Sequence, residues 1–143
     1  MKNFKINIEK NDAATSQLDW AIRLFLDHDE FIPAITLAGA AEGILGGLLG
    51  DRSPHKLVKK NLALQSGLSE TIVSDEHLNR VKNWLKHSRS VVDEKPIMID
   101  LKGEATQNIV RAILNFYEFN SFYTIECKRF LVELPQSEDK DIF

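Results

Sequence analysis

Residues 31–50, FIPAITLAGAAEGILGGLLG, decide the fold. One charge, Glu42, interrupts a run that is otherwise nearly apolar and holds five glycines. At about 100° per residue, Gly39, Gly43, Gly46 and Gly50 fall on one narrow helical stripe. Ala34, Leu37, Ala38, Ala41, Ile44, Leu45 and Leu48 cover most of the other side. A helix apolar nearly all round is buried on several sides. Each interior glycine costs roughly 1 kcal/mol of helix propensity, a cost sustained where a glycine groove lets neighbouring backbones approach. The stretch is therefore expected to be the central helix of a bundle. The expected class is all-α, with four to six helices.

The same run approaches the length of a membrane span. Against that reading stand Glu42 near its middle, Pro33 and Thr36 within it, and Ala and Gly as most of its apolar residues. A soluble core helix with no membrane partner is expected. The N-terminus, MKNFKINIEKND, lacks the apolar core of a secretory signal. One cysteine, Cys127, excludes an internal disulfide and a thiolate zinc site, and suits a reducing cytoplasm. It is read as a half-buried helix residue. The chain has 143 residues, enough for one domain with a proper core. A net charge of -3 argues against a broad basic coat for nucleic acid, though not against a local cationic site.

In chain order, residues 1–13 form an N-terminal arm, 14–134 one helical bundle domain, and 135–143 a flexible acidic tail. FKINI alternates apolar and polar residues as a short strand or arm does. A first helix is expected over 14–28, capped by the polar residues at 12–16 and buried through Leu18, Ala21, Ile22, Phe25 and Leu26. Trp20 lies off that centre. Ser53-Pro54 opens a short basic helix at 55–65, whose Lys56, Lys59 and Lys60 read as a solvated face. Ser74 caps a helix over 75–88, and IMIDL (97–101) reads as a short extended segment. Two apolar stretches follow, 104–119 and about 122–134, as one long helix or as two broken near Asn120-Ser121. The first buries Ile109, Val110, Ile113, Leu114, Phe116 and Tyr117; the second presents Ile125, Leu131 and Phe122 or Phe130.

The most informative polar segment is RVKNWLKH, residues 80–87. Leu78, Val81 and Leu85 share one helical face, while Arg80, Asn83 and His87 stack near the opposite one at i, i+3 and i+7. Such a stripe suits phosphodiester chemistry without a metal. An imidazole of ordinary pKa, about 6.5, is placed to take a proton from a ribose 2′-hydroxyl near neutral pH. A guanidinium or ammonium stabilises charge on phosphoryl oxygens, and an amide orients the phosphate. A second acid or base would come from a dimer partner. The alternative is a polar outer face with nothing bound, and spacing alone favours it.

The pairing of LDWAIRLFLDHDEFIPAITLAGAAEGILG with KNWLKHSR about forty residues later resembles a family of uncharacterised bacterial helical proteins. That family carries an LAGAAEEIL motif and a later RNFLKHA motif, and the second resembles the HEPN superfamily, whose signature is Arg, four to six residues, then His. The resemblance spans roughly residues 18–119. It implies an HEPN-like bundle, commonly dimeric, with metal-independent RNase activity or partnership with a nucleotidyltransferase in a toxin–antitoxin pair. Carried over, it makes His87 the acid–base, Arg80 or Lys82 the phosphate clamp, and Asn83 the positioning residue. Lys82 with Asn83 and His87 fits the register in which a polar residue follows the basic one, but places lysine where arginine is the rule. Arg80 has six residues before His87, and Val81 follows it; the helical wheel prefers Arg80, because Lys82 projects away from His87.

Glu42 is a further candidate, either orienting a histidine or binding a cation, or else pairing with a Lys or Arg of a neighbouring helix; the structural pairing is preferred. GAAEGILGG lacks the GK[ST] ending of a phosphate loop, and His28, His55 and His77 lack metal-like spacing, so neither a cofactor nor a metal is expected. Trp84 and the aromatics of 116–123 read as core or interface, not as a stacking platform. Two functions follow from different classes. One is an HEPN-like protein that cleaves or binds RNA or a nucleotide as a homodimer. The other is a non-catalytic helical homodimeric interaction module whose polar stripe meets a protein partner.

Overall fold

The structure, a computed structural model, describes residues 4–53, 80–86 and 96–134. The expected helix at 55–65, the Ser74 cap, His55, His77, His87 and the tail at 135–143 lie outside the described residues. Among the described residues there are five α-helices and no strand: α1 (Lys10–His28), α2 (Phe31–Leu49), α3 (Arg80–Lys86), α4 (Leu101–Asn120) and α5 (Ile125–Glu133). The protein is an all-α helical bundle.

Helix α2 is its centre, buried through Ala34, Ile35, Ala38, Ala41, Leu45 and Leu49. It is long and apolar enough to cross a membrane, and here α1 and α4 pack along it. Asp29 turns the chain between α1 and α2 in the left-handed conformation (φ 51°), with the acidic residues of HDE ending α1 as their poor fit to a helix C-terminus requires. Asn115 bonds the Glu42 backbone and lies below Gly46, and Arg111 faces Glu42, so α4 runs parallel to α2. Helix α3 docks on α2, with Val81 buried.

Several boundaries differ from expectation. Helix α1 starts at Lys10, four residues early. The polar residues read as caps lie inside its first turns. Asn11 instead exchanges two amide hydrogen bonds with Asn120 (2.8 and 3.1 Å), and the Thr15 hydroxyl donates back to the Asn11 carbonyl. Residues 4–9 form neither strand nor helix and are exposed, as an arm is. Helix α4 starts at Leu101, because the Asp100 carboxylate accepts from the Gly103 N–H (3.0 Å) and caps it. The last two helices are separate. Ser121, left-handed at φ 63°, closes α4, and Thr124 caps α5 by accepting from the Cys127 N–H (3.1 Å). With that start, α5 buries Cys127 and Phe130 and exposes Ile125. Cys127 is fully buried, not half-buried, and burial first of all pushes its thiol up, away from the thiolate. On α4, Leu114 and Tyr117 turn out to be partly exposed, and Tyr117 stacks on Tyr123 at 4.5 Å. Trp20 is half exposed, with the Arg23 guanidinium 4.9 Å from its ring centre.

The glycine stripe is only partly a groove. Gly39 is buried, and a Cβ there would strike the Cγ and Cδ of Lys82. Gly43 and Gly47 have nothing within 4 Å of a would-be Cβ. Gly50 leaves the helix altogether at φ +61°, a conformation that suits glycine, and opens a single 3-10 turn through Arg52. What approaches α2 at Gly39 is thus a lysine stem, not a second backbone.

Helix α5 is held to α1 by a polar ladder. The Thr124 hydroxyl donates to Asp19 (2.8 Å), Arg23 faces Glu126 (3.7 Å), and Arg129 donates twice to Asp27 (2.6 and 2.9 Å). The Arg129 bonds hold Asp27 below the usual aspartate value, whereas burial raises Asp19. The two act with opposite sign. The depressed Asp27 contributes stability that is complete above the unfolded pKa, about 3.9, and lost as pH falls through the folded value. The raised Asp19 opposes folding above its folded value and ceases to do so as pH falls through it. In an unfolding series, the difference between the parent and Asp27→Asn is expected to be constant at neutral pH and to shrink below about pH 4. A difference that grows there would contradict this assignment.

Candidate functional site

Helix α3 is short, and one apolar contact orients it. Val81 is buried and Leu85 half-buried, as the expected apolar face requires; Leu78 lies outside the described residues. With Val81 inward, Arg80 is exposed to solvent, and among the described residues no carboxylate pairs with it. Asn83 is half-buried. Lys82 takes another direction, its aliphatic stem lying over Gly39 of α2. The two basic candidates are therefore not interchangeable: Arg80 is open to an anion from solvent, and Lys82 is committed along α2. His87, the third member of the stripe, lies outside the described residues.

Beneath α3 the α2–α4 contact carries a buried polar seam. Glu42 is 3% exposed, and its carboxylate stands 3.5 Å from Nε of Arg111, the neighbouring-helix partner preferred from sequence. Arg111 is fixed in turn by Asn108, whose Oδ1 accepts from Nη2 (3.2 Å) while its own amide donates to the Glu104 carbonyl (2.8 Å). One turn on, Asn115 donates to the Glu42 backbone carbonyl (3.3 Å) and accepts from the Ser53 hydroxyl at 3.5 Å. Asn108, Asn115 and Ser53 are each at most 1% exposed. Buried amides of this kind are retained where they are paired, and here each has a partner.

Asn108, Arg111 and Asn115 were missed by sequence reading, and Ser53 was read only as the start of the next helix. Their signal is present: Asn108, Arg111 and Asn115 recur at i, i+3 and i+7, a helical stripe that faces Glu42. Gly39 and Glu42 are one turn apart on α2, so the Lys82 stem and the Glu42–Arg111 pair lie on adjoining turns. Arg80 is thus a solvent-facing guanidinium on a helix whose neighbouring Lys82 stem lies one turn of α2 from the Glu42–Arg111 pair. It is suited to holding an anion at α3; it offers no nucleophile of its own among the described residues. No family model, characterised protein or solved structure matches the chain.

Proposed function

We propose that the protein is an HEPN-like homodimer acting on RNA or a nucleotide, with the Arg80, Asn83 and His87 stripe as its site. The observation that carries this reading is the contact between Gly39 and Lys82. Gly39 belongs to LAGAAEGILG and Lys82 to KNWLKHSR, so the two segments on which the HEPN resemblance rests meet in one place. Arg80, exposed on the face away from Val81, supplies the phosphate clamp; Asn83 positions the phosphate and His87 moves the proton. Lys82 serves the fold, because its stem is spent on α2. Glu42 serves the support beneath, through Arg111, and is not assigned a chemical step.

The test is cleavage of mixed cellular RNA by the purified protein in excess chelator, beside the variants His87→Ala, Arg80→Ala and Lys82→Ala. The proposal requires cleavage by the parent, its loss in the first two variants, and its retention by a folded Lys82→Ala. A second reading, the non-catalytic interaction module, is favoured by the exposed apolar residues at both ends of the described bundle, Phe4 and Ile6 among them. Absence of cleavage, together with a doubled mass in solution, would select it.

A further inference from the structure

We propose that α5 is a latch: it swings off the bundle as one unit about Thr124, uncovering Cys127 and the Phe25 side of α1 while α1, α2 and α4 stay packed. Its seat is small. Of its nine residues only Cys127 and Phe130 are buried, whereas α4 buries nine of twenty. Leu131, and Leu134 just past its end, add partial burial, but Ile125 and Val132 are 81% and 84% exposed. Phe130 meets the Phe25 ring edge-on at 5.3 Å. Phe25 also meets Phe31 of α2 at 5.1 Å, so α1 keeps an aromatic neighbour in the bundle when α5 leaves.

The rest of the attachment is the polar ladder on α1, and its rungs hold weakly. Arg129 and Asp27 are 35% and 44% exposed, and Arg23 of the next rung is 36% exposed. Pairs so open to water contribute little to stability. The third rung, Thr124 to Asp19, is less open, and there burial raises Asp19. Its hydrogen bond therefore does not offset what the carboxylate loses by leaving water. The pivot follows from the connector. Phe122 packs edge-on against Phe116 at 5.4 Å and Tyr123 stacks on Tyr117 at 4.5 Å, so both stay with α4. Residues 121–124 are not helical. The bonds that start α5 are its own and travel with it: Thr124 Oγ1 accepts from the Cys127 N–H, and the Thr124 carbonyl from the Lys128 N–H. A segment with few buried apolar contacts and water-exposed polar bonds opens at a free energy below that of global unfolding.

Cys127 is the single cysteine of the chain and is fully buried, so the rate at which N-ethylmaleimide labels the folded full chain reads the opening. Labelling is followed by mass spectrometry in increasing urea below the unfolding transition, for the parent, Thr124→Ala and Ile109→Val. The expected rate lies well above the one set by global unfolding and is nearly flat in urea, because releasing α5 exposes little surface. Thr124→Ala removes the cap and the Asp19 bond together and raises the rate about fivefold. Ile109→Val, in the buried face of α4, lowers the urea midpoint but leaves the rate within about twofold, since Ile109 stays packed while α5 is open. A rate that climbs with urea along the global unfolding curve overturns the proposal. So does a rate that Ile109→Val raises in step with the lost stability. A flat rate that Thr124→Ala leaves unchanged overturns it as well, because the reagent then reaches Cys127 without α5 leaving.

Discussion

In excess chelator, His87→Ala is expected to lose RNA cleavage by at least about 100-fold relative to the parent, while its unfolding midpoint stays within the spread of surface substitutions. The magnitude follows from what a positioned acid–base contributes, typically two to four orders of magnitude. The pH profile separates chemistry from structure. Cleavage that uses an imidazole as base rises through the ordinary histidine range, around pH 6.5, as the neutral form accumulates. An Arg80→Ala variant keeps that pH dependence and loses rate across it, because it removes charge stabilisation and not the proton acceptor. Arg80→Lys restores the charge without the planar fork and is expected to recover only part of the rate. Lys82→Ala retains the parent rate, since the Lys82 stem lies along α2 at Gly39. Cleavage that persists undiminished in His87→Ala, or that disappears in Lys82→Ala with the fold intact, would move the site off the Arg80 face.

How much of this was legible in the sequence differs from element to element. Helix α2 was, because a run apolar on every face has few other places to go in a folded chain, and the Asp29 stop of α1 follows from charge at a helix end. The expected inward face of α3 was legible for a related reason: Val81 and Leu85 leave little choice about which side is buried. The break between α4 and α5 was not. Asn120 and Ser121 are compatible with a continuing helix, and what ends it is fixed by remote partners, Asn11 for Asn120 and Asp19 for the Thr124 cap. The polar seam was hidden by α2 itself. A helix apolar all round does not reveal which face α4 will cover, and Glu42 had 18 lysines and arginines to choose from. The glycine stripe misled for the opposite reason. Glycine permits close approach but does not require it, and only Gly39 receives a neighbour that a Cβ would strike.

The largest stability effect in the described residues is expected at the Glu42–Arg111 pair. Arg111→Met should lower the unfolding free energy by about 3 kcal/mol, read from urea denaturation with an unchanged slope. The substitution keeps the volume and flexibility of the stem but removes the guanidinium that faces a carboxylate only 3% exposed. It also strips the Arg111 donor from Asn108 Oδ1, an amide at 1% exposure. The double variant Glu42→Leu with Arg111→Met should recover most of the loss. A buried ion pair gains in Coulomb energy roughly what it loses in desolvation, so exchanging both partners for apolar groups is close to neutral. If the pair mattered only as a surface contact, Arg111→Met would cost under about 1 kcal/mol and the double variant would restore nothing. If the double variant is as stable as the parent, Glu42 on α2 is not kept for stability. Its use is then to fix the rotational setting of α4 against a helix apolar on every side. Asn115, which reaches the Glu42 backbone, would share that task, because the apolar contacts of α2 select no single register alone.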